Sequence, residues 1–158
     1  MAIRMAARRE TNSQWLLTII AVVGLAIDAY VHLHLASDFA HVKTSTLSQA
    51  DLFRVEAVAA IVAAVALLVR RSRLTVGFAF LVAAAGLVAV VLYRYVNVGT
   101  IGPIPNMYDP YWAPAEKTLS VIAEAAAAIA AGLLYARLGI SGARGHTQDA
   151  SPDLSKTT

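Results

Sequence analysis

This chain of 158 residues has no cysteine and little charge, with only 15% of its residues charged. The lack of thiols excludes disulfides, iron–sulfur clusters, thiolate zinc sites and cysteine nucleophiles. Soluble domains are about one-quarter charged, so the low charge argues against that class. A nucleophile elbow, a phosphate-binding loop and a dinucleotide fingerprint are also missing from the sequence. We therefore leave enzymatic activity open, favour a role without it, and predict no catalytic residue.

Apolar residues dominate instead and make up 58% of the chain. A helix needs about 20 mostly apolar residues to cross the hydrocarbon core of a bilayer, and four segments meet that requirement. We predict an all-α protein, a four-transmembrane-helix bundle over residues 15–138, between a basic tail over 1–14 and a disordered tail over 139–158. The predicted spans cover residues 15–36, 52–69, 74–96 and 118–138, and residues 97–117 form an outer loop.

Arginines lie beside the apolar segments in a pattern that predicts topology. Cytoplasmic loops of membrane proteins are enriched in lysine and arginine. We therefore predict that both termini and the second connection are cytoplasmic. The same placement argues against a nucleic-acid partner, because the arginines do not form a face with interleaved aromatic residues. The arginines concerned are Arg4, Arg8 and Arg9 before the first span, Arg70, Arg71 and Arg73 after the second, and Arg137 and Arg144 near and after the end of the fourth.

Titratable residues interrupt the first span in the stretch "DAYVHLHLA". Asp28 and His32 are four residues apart and share a helical face, whereas His34 lies roughly 200° around the helix from His32. The predicted direction of each span places the other charged residues of the spans in the same outer half of the membrane. Intramembrane charges normally pair or face water, so we predict that they converge. The predicted polar cluster contains Asp28, His32, Glu56, Arg94 and Glu124, with Lys117 above it.

Two main interpretations of that cluster remain open. In the first, Arg94 pairs with Glu56 or Asp28 and Lys117 pairs with Glu124, which suits an accessory or structural membrane subunit. In the second, the surplus of acids forms a membrane-embedded site for ligand binding or proton-coupled transport.

A metal site in the bundle core is a third interpretation, and the sequence disfavours it. No Glu-x-x-His pair is present, and the charge of Arg94 would oppose a nearby cation. The last three spans contain no histidine, which argues against a haem with two histidine ligands. We therefore predict neither a metal nor a cofactor.

The outer loop carries the stretch "NVGTIGPIPNMYDPYWAP", whose four prolines and two glycines exclude a regular helix. Its aromatic side chains, Tyr108, Tyr111 and Trp112, suit two roles. They can anchor the loop at the membrane surface, which we favour, or they can fold over the bundle as a lid.

Three blocks of sequence, "DAYVHLHLA", "ADLFRVEA" and "GPIPNMYDPYWAPAEKTLS", are distinctive. In these blocks the region from about Trp15 to Leu138 resembles small four-helix integral membrane proteins of actinobacteria. The resemblance implies no particular activity for this chain. The resemblance implies four spans and a multi-pass location in a bacterial plasma membrane. The expected partners are the lipid bilayer and either a second copy of the chain or another membrane protein.

Overall fold

The computed structural model describes the backbone of residues 2–149 and the side chains of residues 11–139. Within these residues the fold is entirely helical and contains no β-strand. Four of its stretches are long and apolar enough to cross a membrane, and they match the four predicted spans to within a few residues. The prediction of an all-α chain with four such helices is confirmed. The helices are α1 (Ala2–Leu35), α2 (Gln49–Val69), α3 (Arg73–Tyr95) and α4 (Ala115–Asp149).

Helices α1 and α4 extend by more than ten residues beyond the predicted spans. Helix α1 begins at Ala2, within the predicted basic tail, and α4 continues to Asp149, within the segment predicted to be disordered. Once a helix has formed, each further residue adds a hydrogen bond without a new nucleation step, so helices extend past their apolar core. The remainder of the predicted disordered tail, residues 150–158, lies outside the described residues.

The helices pack in a ring in chain order. Helix α1 contacts α2 and α4, helix α3 contacts the same two neighbours, and α1 and α3 touch only slightly across the centre. This arrangement defines two ends of the bundle. At the loop end lie the long connections over residues 36–48 and 96–114, and at the turn end residues 70–72 join α2 to α3.

The interior of the bundle is made mainly of small residues. Alanine predominates in the buried faces of α2 and α4, and α3 buries two alanines, two valines and a glycine, while large aliphatic side chains are exposed on the outside. Small residues let helix backbones approach closely, and an apolar outer surface of this extent suits contact with lipid. Gly24 shows how close the approach is, because a Cβ atom there would lie 2.6 Å from the main-chain oxygen of Ala123 on α4. The exposed aliphatic residues of α2 are Val55, Val58, Ile61, Val62, Val65, Leu68 and Val69.

Capping explains why α2 begins three residues before the predicted span. The Ser48 side chain accepts a hydrogen bond from the Asp51 main-chain nitrogen, and the Asp51 carboxylate accepts one from the Ser48 main-chain nitrogen. This reciprocal capping box stabilises the first turn of a helix. As a result Glu56 lies about 10 Å below the start of α2, at 1.5 Å per residue.

Among residues 11–139, the acidic residues are confined to the loop end, whereas basic residues lie at both ends. At the turn end the Arg71 guanidinium stacks on the Trp15 ring at 4.0 Å, and the Arg73 guanidinium lies 4.8 Å from the Tyr135 ring. Within residues 11–139 every acidic residue lies in a loop-end connection or in the part of its helix nearest the loop end. These acidic residues are Asp28, Asp38, Asp51, Glu56, Asp109, Glu116 and Glu124.

Candidate functional site

A cavity of about 300 Å³ lies at the loop end, among the helices and the connection between α3 and α4. This volume is at the small end of the range for ligand pockets in proteins. Side chains such as Val31, Phe53 and Val90 form apolar walls. The polar lining is divided by depth, because some residues sit at helix ends or in the loop and others sit further into the bundle. Arg94, Asp109 and Lys117 lie near the mouth, while His32, Glu56 and Ser120 form the floor.

His32 and Ser120 of the floor belong to a compact group of buried polar side chains from α1 and α4, whose other members lie deeper. His32 Nδ1 lies 2.8 Å from Asp28 Oδ1 and 3.0 Å from the Asp28 main-chain oxygen. Ser120 Oγ lies 3.2 Å from Asp28 Oδ1 and 3.1 Å from Glu124 Oε1. The exposed fraction is 1% for Asp28 and 0% for Glu124, so both carboxyl groups are removed from solvent. We call Asp28, His32, Ser120 and Glu124 the buried cluster.

Glu56 faces the same space from α2, across a gap that a glycine keeps open. A Cβ atom on Gly86 of α3 would lie 2.8 Å from Glu124 Oε1 and 3.3 Å from Glu56 Oε1. Any other residue at this position would therefore crowd both carboxyl groups. Three acids, Asp28, Glu56 and Glu124, thus surround one small region of the bundle.

These acids have few partners. Asp28 Oδ2, Glu56 Oε1 and Glu124 Oε2 are buried and accept no hydrogen bond. Within residues 11–139, no lysine or arginine nitrogen lies within 4.0 Å of the three carboxyl groups. Among the described residues, the one basic side chain paired with these acids is His32, whose imidazole is charged only when protonated and whose ring also meets Phe53 edge to face at 5.0 Å.

The structure does not form the ion pairs considered from the sequence. Lys117 pairs with Asp109 of the loop, not with Glu124. The Arg94 guanidinium lies over the rings of Tyr95, at 5.0 Å, and Trp112, at 5.3 Å, away from Glu56 and Asp28. Lys117 finds its partner near the mouth because the loop folds back onto the bundle, whereas Arg94 contacts the two rings there and its Nε is buried without a hydrogen-bond partner among the described residues. The path of the loop was not readable from helical periodicity.

The loop is tied to the bundle at several points. The Asp109 main-chain nitrogen donates to the Tyr93 main-chain oxygen at 3.1 Å, and Lys117 Nζ donates to the Tyr111 main-chain oxygen at 3.3 Å. Of the three aromatic residues predicted as a lid or an anchor, Tyr111 and Trp112 line the cavity and Tyr108 does not. The loop therefore forms part of the cavity wall near the mouth, where Tyr111 remains 69% exposed.

Sequence reasoning placed some residues well and missed others. His34 stacks on Tyr30 at 5.7 Å on the exposed side of α1, as its helical phase indicated. Ser120 was not assigned to the site, although its position four residues before Glu124 places both on one face of α4. Asp109 and Gly86 gave no signal, because their roles depend on a loop path and on a contact between helices.

Comparison with known proteins adds no relative: no family model matches the chain, and neither a curated protein nor a solved structure matches it. Inferences about function therefore rest on the geometry of the site.

Proposed function

We propose that this protein is a small polytopic membrane protein that binds a cation at the buried cluster, reached through the cavity from the loop end. The observation that carries the proposal is the imbalance of charge at the floor. Asp28, Glu56 and Glu124 surround one space, and within the described residues the one basic side chain paired with any of them is His32, which contacts Asp28. A cation bound there would complete a site that lacks positive charge.

The energetics favour such a role. An ionised side chain at membrane depth costs at least about 3 kcal/mol on insertion scales, so acids in helices normally have partners or reach water. His32 can balance one of the acids. The hydroxyl of Ser120 has a single hydrogen for its contacts with Asp28 and Glu124, so it cannot donate to both at once. The remaining acids must either hold a proton or meet a cation.

The cavity provides the route. His32, Glu56 and Ser120 belong to its floor, so a cation that enters from the mouth meets them before it reaches Asp28 and Glu124. Arg94 and Lys117 line the mouth, but neither forms an ion pair with the three acids: Lys117 pairs with Asp109, and Arg94 lies against aromatic rings. With the topology predicted from the arginines, the mouth opens to the outside of the cell.

A second candidate is the accessory or structural subunit favoured by the sequence. Its support is that Ser120 on α4 lies within hydrogen-bond distance of Asp28 on α1, so the buried cluster also links two helices. In that role the protein would serve a second copy of itself or another membrane protein. The two candidates predict different responses to cations, because a contact that only holds two helices together does not depend on a bound cation.

Thermal unfolding in detergent micelles tests the proposal. The probes are calcium chloride, zinc chloride and tetramethylammonium chloride, each compared with sodium chloride at equal ionic strength. A ligand present at a hundredfold its Kd stabilises the folded state by about 2.7 kcal/mol, which raises the Tm by about 5 °C or more. We expect such a rise with at least one probe for the unaltered protein and for Glu116→Gln, a control on the same helix, and no rise for Glu124→Gln. Equal Tm values with all salts would favour the structural candidate.

A further inference from the structure

The buried cluster has the chemical composition of a metal site. Asp28, His32 and Glu124 each offer one ligand atom, and these atoms all lie within 4.8 Å of one another. Each of the three residues is more than nine-tenths buried. Two carboxylates and one imidazole, supplied from two facing helices of a bundle, are ligands that transition metals accept.

Unused oxygen atoms provide a second, independent observation. Asp28 Oδ2 and Glu124 Oε2 are buried without any hydrogen-bond partner. Buried polar atoms in folded proteins are nearly always paired, and those that are not need an explanation such as an ion. Ser120 Oγ lies within 3.2 Å of an oxygen of each acid and adds a further oxygen at the same place.

We propose that Asp28, His32 and Glu124 bind one divalent first-row transition-metal ion of the Zn²⁺ class. This inference rests on the proposed cation site and names the cation. Two carboxylates balance the charge of the ion, and the imidazole selects against Mg²⁺ and Ca²⁺, which prefer oxygen ligands. Metal–ligand bonds of about 2.0–2.2 Å place neighbouring ligand atoms about 3.0–3.5 Å apart, so atoms separated by the full 4.8 Å need to approach by about 1–2 Å. Rotation of the carboxyl groups supplies that movement.

Arg94 lines the same cavity but is not paired with the acids. Its guanidinium lies over Tyr95 and Trp112 near the mouth, and it forms no ion pair with Asp28, Glu56 or Glu124 within the described residues. Glu56, across the gap that Gly86 leaves open, adds negative charge beside the proposed site.

Cobalt absorption tests the inference directly. The full chain is purified in detergent without a polyhistidine tag, treated with a chelator, and titrated with Co²⁺, whose visible bands report ligation by nitrogen and oxygen. We expect one Co²⁺ per chain, displaced by Zn²⁺ and not by Ca²⁺. Loss of one ligand should weaken binding by at least about tenfold, since even residues that only support ligands have effects of that size. The test variants are Asp28→Asn, His32→Gln and Glu124→Gln, and their matched controls are Asp38→Asn, His34→Gln and Glu116→Gln.

A measurement on the unaltered protein covers the case in which a variant fails to fold. In nitrogen NMR of histidine-labelled protein, Zn²⁺ should shift the ring signals of His32 and leave those of His34 unchanged. Co²⁺ binding that persists at full strength in Asp28→Asn and Glu124→Gln would overturn the metal site. Absence of metal binding together with stabilisation by tetramethylammonium would overturn the metal and keep the proposed function. Absence of both effects would overturn both.

Discussion

Replacement of Gly86 by alanine is the sharpest probe of the site. The new Cβ atom would lie 2.8 Å from Glu124 Oε1, 3.1 Å from Glu124 Cδ and 3.3 Å from Glu56 Oε1. Favourable contacts between such atoms begin at about 3.5 Å, so the Glu124 carboxyl group must retreat by about 0.7 Å. Its contact with Ser120, at 3.1 Å, is already near the long end of the range for two oxygens and would weaken or break.

The expected size of the effect follows from two opposing contributions. Insertion of a methyl group into a packed interior costs about 1–3 kcal/mol, while replacement of glycine in a helix gains up to about 1 kcal/mol. Gly132→Ala on α4 is the matched control, because its nearest atom is a Phe80 ring carbon at 3.5 Å, an ordinary contact. Both variants receive the helix gain, so Gly86→Ala should be about 1–3 kcal/mol less stable than Gly132→Ala.

Reversible unfolding in mixed detergent micelles, followed by tryptophan fluorescence, measures this difference. Co²⁺ titration of the same two variants tests the proposed metal site, and we expect weaker Co²⁺ binding only in Gly86→Ala. Equal stability and equal binding of the two variants would refute the reasoning, since the carboxyl groups of Glu56 and Glu124 could then not lie against α3.

Two further predictions concern the packing of the bundle and its loop. Gly24→Ala should lower the free energy of unfolding by about 3 kcal/mol or more. Its Cβ would lie 2.6 Å from the main-chain oxygen of Ala123, and a backbone atom cannot move without shifting its helix. A loss below about 1 kcal/mol in the same unfolding assay would contradict the close approach of α1 and α4. Asp109→Asn removes the charged partner of Lys117 and should loosen the loop over the cavity. Since the chain has no cysteine, a single Ala89→Cys in the cavity lining gives one site for maleimide labelling. The labelling rate should rise several-fold when Asp109→Asn is added. An unchanged labelling rate would show that the pair of Asp109 and Lys117 does not hold the loop in place.

The sequence alone was enough for the helices and for part of the site. The four apolar segments were readable because length and composition are properties of each segment by itself. The shared face of Asp28 and His32, and the separate direction of His34, followed from the helical period, which is equally local. The boundaries were less accurate where capping or helix extension set them, as at Ser48 for α2.

Pairing of the charges required the tertiary structure. Lys117 and Glu124 are both on α4, and nothing in their spacing shows that the preceding loop returns Asp109 to Lys117 first. Arg94 likewise contacts aromatic rings at the end of α3 and in the loop. Its predicted depth in the membrane had suggested a pair with the acids instead. The path of an irregular loop depends on contacts with distant residues, so helical periodicity carries no information about it.

What the sequence by itself determined is the number of helices, their approximate limits and the faces that carry the acids, because these depend on residues a few positions apart. Only the tertiary structure decided which acids meet, which of them lack a basic partner, and that a cavity opens above them. The physical reason is that these properties depend on distances between helices. At Gly86 a single missing Cβ atom leaves the space in which Glu56 and Glu124 approach each other.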